Sequence, residues 1–292
     1  MTYPWQERNG RLSYLKLVVF IALFGPGAWT AYGFAFGTLG PMPFTEAIHE
    51  AGFWTIRLLF GSLAITPLRQ MLGWPKLIAV RRMIGVGAFA YAIAHLTLYA
   101  ADQKFALLHV ASEIVLRFYL TIGFVALLGL SALAATSTDR MVRRLGGKRW
   151  QRLHRIVYVI ALLGAVHFFI QAKANVVEPI VMGGLLCWLM AYRTLAWTGT
   201  GALARARWVQ LAITLGSTAL TAVGEAVYYW LKTGVDPMRV IEANFSLWTG
   251  VRPSWVVLGI GLAAILLSLA RDAAKRWPDL GAFLRGTAPD NA

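Results

Sequence analysis

Acidic residues are scarce in this chain of 292 residues: 13 Asp and Glu stand against 28 Lys and Arg, and charged residues of both signs make up only 14% of it. A soluble domain carries about 25% charged residues, so a water-facing globular surface is excluded. Cysteine is nearly absent, with Cys187 alone in the apolar run GGLLCWLMAY. One thiol cannot build a disulfide framework, and Cys187 reads as a small apolar packing residue. There is no G-x-G-x-x-G run, hence no dinucleotide-binding domain for nicotinamide or FAD within the chain. Internal repeats and low-complexity tracts are also missing.

What fills the chain instead is hydrocarbon. Hydrophobic residues make up 58% of it, and the mean hydropathy is +0.59. Windows of about 20 mostly apolar residues define membrane-spanning helices, and eight can be read, near 15–36, 52–68, 83–101, 115–135, 153–172, 177–197, 208–231 and 254–271. The fold class expected is an all-α polytopic membrane protein. Residues 1–14 are polar and short, and the first span lacks a small-residue cleavage site, so it reads as retained rather than as a removed signal peptide.

The net charge of +15 belongs to this topology rather than to nucleic acid, because the cations fall in short loops between spans. Arg8, Arg11, Lys16, Arg69, Lys76, Arg81, Arg82, the run from Arg140 to Arg155, Arg193, Arg205, Arg207, Arg271, Lys275, Arg276 and Arg285 fall on one side, and only Lys104, Arg117, Lys173, Lys232, Arg239 and Arg252 on the other. By the positive-inside rule the rich side is cytoplasmic, which places both termini inside. The basic run from Arg140 to Arg155 serves as a topology signal that also attracts anionic membrane lipid, with docking of a cytosolic donor as a secondary role. The tryptophans near span ends, among them Trp29, Trp54, Trp150, Trp197 and Trp255, read as interfacial anchors.

Three histidines lie in or at the edge of these spans: His95 in AFAYAIAHLTLYA, and His154 and His167 in LHRIVYVIALLGAVHFF. An imidazole in hydrocarbon costs free energy unless it finds a partner, which marks a functional candidate. His95 lies thirteen residues beyond Arg82 and His167 thirteen beyond His154, so each sits roughly 20 Å from the cytoplasmic face at about 1.5 Å per residue. Two imidazoles at one depth on neighbouring helices suit bis-histidine ligation of a b-type haem in the bundle core. With no C-x-x-C-H run that haem is held non-covalently. Ala90, Ala92, Ala94, Gly164 and Ala165 leave room for a flat macrocycle or for close helix approach.

His154 stands at the cytoplasmic edge in KRWQRLHR, and on an undistorted helix it is turned about 140° from His167. It therefore belongs to a second, inner site. The facing level of the third span carries Arg81 and Arg82, which bind phosphate or a haem propionate through forked hydrogen bonds and make poor iron ligands. The inner site holds either flavin mononucleotide (FMN) or a less symmetrically ligated second haem.

The run ITPLRQMLGWPKLIAVRRMIGVGAFAYAIAHLTLYA, followed by RFYLTIGF, LAATST, LGGKRWQRLHRIVY and His167, resembles the haem-binding membrane subunits of bacterial periplasmic methionine sulfoxide reductases, a family within the ferric-reductase-like transmembrane superfamily that also includes the NADPH oxidases. The resemblance covers residues 12–198. It implies a ferric-reductase-like haem-binding domain over 1–198, with 199–292 a two-helix transmembrane extension and cytoplasmic tail. It implies haem b on His95 and His167 as axial iron ligands, and an inner site lined by His154, Arg81, Arg82 and Arg149 holding FMN, with His154 as the ligand should a second haem occupy it. NADPH oxidase relatives carry an inner histidine where Arg81 stands, which puts a symmetric inner haem in doubt. The activity implied is electron transport in the bacterial inner membrane, from the quinone pool or a cytosolic flavin reductase to a periplasmic molybdenum-containing (molybdopterin-dependent) methionine sulfoxide reductase that repairs oxidised proteins. The chain itself is then a non-catalytic subunit. The alternatives are a ferric or oxygen reductase acting at the outer haem, or a non-redox transporter relaying protons through the histidines and Glu225.

Other residues carry narrower expectations. Asp102, Gln103 and Lys104 end the third span and leave His109 in a loop; His49 is interfacial or partner-facing. Arg57, inside the second span, either snorkels to the outer headgroups or pairs with a haem propionate, the second being preferred. Glu225, inside the seventh, needs a proton or a partner.

Overall fold

The protein is described from a computed structural model, covering residues 3–7, 9–172, 175–246, 248 and 250–276, the side chains of the last two excepted. Arg8, Lys173 and Arg285 lie outside the described residues. The helices, in chain order, are α1 (Tyr14–Ala35), α2 (Pro43–Met71), α3 (Ile78–Asp102), α4 (Leu107–Leu116), α5 (Phe118–Ala135), α6 (Asp139–Leu145), α7 (Gly147–His154), α8 (Val157–Gln171), α9 (Val177–Trp197), α10 (Arg207–Thr233), α11 (Pro237–Ala243) and α12 (Pro253–Arg276). Among the described residues the sole β-type pairing is one isolated bridge between Gln6 and Leu12. Among the described residues eight helical stretches are long and apolar enough to cross a membrane, α7 and α8 counting as one of them. The chain is an all-α polytopic membrane protein.

Three expectations about local structure are corrected. Arg117 adopts an extended backbone, φ −104° and ψ 104°, and separates α4 from α5, so the fourth span begins at Phe118. Its guanidinium folds back onto Glu113, one turn earlier in α4. His109 accordingly sits on a helix rather than in a loop, on its exposed side. The fifth span is interrupted after His154: the amides of Arg155, Ile156 and Tyr158 bond to carbonyls three residues back, at 3.2, 3.1 and 3.2 Å. That tightening is 3₁₀ in character and changes the turn angle per residue, so the rotation between His154 and His167 expected of a straight helix does not apply.

The chain divides into two compact units, Met1–Ile65 with Leu77–Pro179, and Thr66–Lys76 with Ile180–Ala292. In the first, α3 packs on α1 and α5, and α5 on α8. Pro26 interrupts the hydrogen bonding of α1, and the Tyr91 phenol of α3 fills part of the gap, accepting from the Gly27 amide at 2.7 Å and donating to the Leu23 carbonyl at 2.8 Å. Gly146, at φ +74°, turns α6 into α7. The Thr138 hydroxyl caps α6 by accepting from the Met141 amide.

In the second unit α10 packs on α11 and α12. One face of α10 is polar and buried along its length: Gln210, Thr214, Ser217, Thr221 and Glu225 are each at most 4% exposed. Their spacings of three or four residues put them in one stripe. Small partners let the helices approach, with Gly184 against Thr221 and Gly261 against Thr214. Arg207 closes one end of the stripe on Asp272, Ser268 and Gln210. At the other, Glu225 meets Arg252 at 2.9 Å and the Asn244 amide at 3.0 Å, which supplies the partner its burial demands. Cys187 is exposed on α9 rather than packed inside.

Candidate functional site: a pair of histidines within the first unit

His95 on α3 and His167 on α8 face one another, their ring centroids 6.3 Å apart and their planes at 85°. Both are half-buried. The two are held by the same local device. His95 Nδ1 lies 2.8 Å from the Ile48 carbonyl of α2, and Gly52, four residues on, lies beneath the ring. His167 Nδ1 lies 2.8 Å from the Tyr119 carbonyl of α5, and Gly123, again four residues on, lies beneath that ring. Four residues return to the same helix face, so each supporting helix offers a carbonyl and, next to it, a place without a side chain. A Cβ at Gly52 would stand 3.2 Å from His95 Cε1, and one at Gly123 only 2.7 Å from His167 Cε1.

A carbonyl only accepts, so each Nδ1 carries the proton and each Nε2 is left with its lone pair. Anchoring of one ring nitrogen so that the other can bind metal is the usual support for a histidine ligand. With metal–nitrogen bonds of about 2 Å and ring centres about 1 Å behind the nitrogens, two imidazoles sharing one ion lie about 6 Å apart. The observed separation fits. Among the described residues no group of three or more His, Cys, Asp or Glu side chains could hold a bare metal ion. Haem iron brings its equatorial ligands with it and needs only the axial two from the protein. A Cβ added at Gly164, one turn before His167, would meet nothing.

His154 is set apart from that pair, at the end of α7. Its Nε2 lies 3.1 Å from the Thr136 hydroxyl at the end of α5, and its ring stacks on Trp150 with centroids 3.8 Å apart. The Trp150 indole N–H donates to the Thr136 carbonyl at 2.9 Å. Arg81 and Arg82 lie near enough for their charges to act on the His154 ring. The Arg82 guanidinium meets Asp139 at the start of α6 at 2.5 Å, and Arg149 is exposed on α7. The structure thus brings His154, Arg81 and Arg82 into one neighbourhood, with Thr136 and Trp150 added.

Arg57 does not stand open for a propionate: it pairs with Glu178 at the start of α9 and lies over the rings of Phe53 and Trp54. Glu178 drew no notice in the sequence, where an acid at a span end reads as a solvated charge. Thr136, Tyr119 and Gly123 were likewise unremarked, although the runs LAATST and RFYLTIGF contain them. His49 is exposed and stacks on Phe53, which meets Phe168 beside His167.

Residues 51–165 match the ferric reductase like transmembrane component family. The protein-methionine-sulfoxide reductase heme-binding subunit MsrQ of Rhodospirillum rubrum is 43% identical over 189 residues, 64% of this chain and 88% of that protein. The same subunit of Azospira oryzae is 37% identical over 65% of this chain and 82% of its own, and that of Caulobacter vibrioides 39% identical over 62% and 86%. No solved structure matches the chain. With the histidine pair in place and relatives matched over most of their length, the chain belongs to the MsrQ family of ferric-reductase-like transmembrane proteins.

Proposed function

We propose that this protein is the haem-binding membrane subunit of a methionine sulfoxide reductase, with residues 1–198 as its haem domain and 199–292 as a membrane extension. The observation that carries the reading is the His95–His167 pair, two Nδ1-anchored imidazoles 6.3 Å apart. His95 and His167 would hold haem b, which would supply one-electron redox chemistry. The chain's own part is positional and electrostatic. Ile48 and Tyr119 hold the rings in the ligating tautomer, Gly52 and Gly123 admit them, and the flanking helices keep the site in an apolar medium. The Arg57–Glu178 pair places a compensated charge on the Phe53 side of the site.

The inner neighbourhood of His154, Arg81, Arg82 and Arg149 is proposed to take FMN, the arginines engaging phosphate. Electrons enter there from the quinone pool or from a cytosolic flavin reductase and leave from the outer side to a periplasmic molybdenum-containing reductase. That direction requires a bacterial inner-membrane location with both termini cytoplasmic.

Purification in mild detergent with quantification of haem and flavin tests the whole reading. A reducible b-type spectrum with one haem per chain, lost in His95→Ala and in His167→Ala, is expected. A colourless protein would sink it. Reoxidation of the reduced protein by the periplasmic reductase, and not by ferric chelate, separates an electron-transfer subunit from a ferric reductase.

A further inference from the structure

We infer that Thr136 and Trp150 lock His154 in the tautomer opposite to that of His95 and His167, so that its Nδ1 is a hydrogen-bond acceptor for a cofactor N–H or O–H and His154 is not an iron ligand. The inference rests on the inner-site reading above and specifies how that site recognises what it holds.

The assignment follows from counting protons. Thr136 Oγ1 lies 2.7 Å from the Ala132 carbonyl and 3.2 Å from the Leu133 carbonyl. Both are acceptors only, and the 2.7 Å contact to Ala132 is the shortest of the hydroxyl's three, which places its one proton there. Towards His154 Nε2, at 3.1 Å, the hydroxyl oxygen can therefore only accept. Nε2 carries the proton, and in the neutral ring the lone pair is then on Nδ1. Trp150 holds the arrangement from the other side: its ring lies on the imidazole at an interplanar angle of 26°, and its N–H is fixed to the backbone of the same Thr136. Turning the ring over would break the Thr136 contact, so two positioning residues fix one orientation.

The outer histidines show the contrast within the same unit. Their Nδ1 atoms are occupied by Ile48 and Tyr119, and Nε2, the nitrogen farther from the backbone, is open. A macrocycle needs the ligand to reach it end-on. At Nδ1 the ring's own stem stands next to the donor atom and would press on the porphyrin plane. Nδ1 is suited instead to the edge of a flat polar ligand. A phosphorylated flavin offers an imide N–H for Nδ1 and a phosphate for Arg81, beside Arg82, which Asp139 holds; the charges of both arginines act on the same ring.

The experiment uses the full chain purified with its native cofactors, flavin being measured after acid extraction and the outer b-type absorbance serving as the control for folding. Thr136→Val, which keeps shape but loses the acceptor, and Trp150→Leu should each weaken flavin retention about tenfold, the effect of one hydrogen bond or stack, while the b-type spectrum stays. Thr136→Ser should restore retention. His154→Asn places an oxygen where Nδ1 was and should retain more flavin than His154→Gln, whose polar end reaches the place of Nε2. Should Trp150→Leu also lose the outer absorbance, the isosteric Thr136→Val decides. Flavin retained undiminished in Thr136→Val and His154→Gln overturns the inference, as does loss of a second haem in both His154 variants. A wild-type protein with haem but no flavin removes the inner-site reading itself, and is told apart because no variant is then needed to see it.

Discussion

At the scale of single residues the histidine pair is seated on two glycines as well as held by two carbonyls. Because a Cβ at Gly123 would fall 2.7 Å from His167 Cε1, Gly123→Ala must displace the ring or its helix. We expect most b-type absorbance per chain to disappear in that variant. Gly52→Ala, at 3.2 Å, should lower it by a smaller fraction, and equal retention in both would show that the rings have slack. The histidines themselves were legible from type and spacing, since a titratable ring in an apolar span is conspicuous. Their anchors were not. Every residue has a carbonyl, so nothing in a sequence marks Ile48 or Tyr119 as the one that accepts, and a glycine reveals its purpose only once the ring above it is placed. Arg57 shows the opposite failure: a cation deep in a span does announce a partner, yet the partner is Glu178, 121 residues away.

At the scale of helices, the apolar windows located every spanning element to within a few residues at most ends. The windows missed the first turns of α2, where Thr45, Glu46, His49 and Glu50 dilute the hydropathy. They also missed two interruptions, after Leu116 and after His154, because neither contains proline or glycine, the usual punctuation of a helix. One interhelix tie is exposed to a simple test. Tyr91→Phe deletes both hydrogen bonds to the broken turn of α1, a loss of about 1 to 3 kcal/mol when a half-buried pair of polar groups goes unmet. The thermal midpoint of the haem spectrum should drop by several degrees, with haem content at low temperature unchanged. An unaltered midpoint would mean that the α1 backbone closes its own bond once the phenol is gone.

For the molecule as a whole, charge asymmetry predicts orientation. In a Cys187→Ser background, Lys148→Cys should be labelled by an impermeant thiol reagent only after the cytoplasmic face is opened, and Lys104→Cys in intact spheroplasts; the reverse pattern would invert the proposed direction of electron flow. The second unit can be probed separately. Removing Glu225 strands Arg252, and breaking such a buried pair costs about 3 to 5 kcal/mol, so Glu225→Ala should destabilise the protein far more than the double variant Glu225→Ala/Arg252→Ala. Comparing their detergent melting curves measures it.

The polar stripe of α10 also constrains how the protein is made. A helix bearing Gln210, Thr214, Ser217, Thr221 and Glu225 on one side is poorly soluble in lipid on its own, an unpaired acid inside a span opposing insertion by up to about 3 kcal/mol. The groups that partner its charged ends, Arg252 for Glu225 and Ser268 and Asp272 for Arg207, are synthesised later. The seventh span is therefore expected to stay beside the insertion machinery until the eighth emerges, and a chain cut after residue 234 and continued by an unrelated polar linker long enough to bring all of α10 out of the ribosome should leave α10 extractable from the membrane.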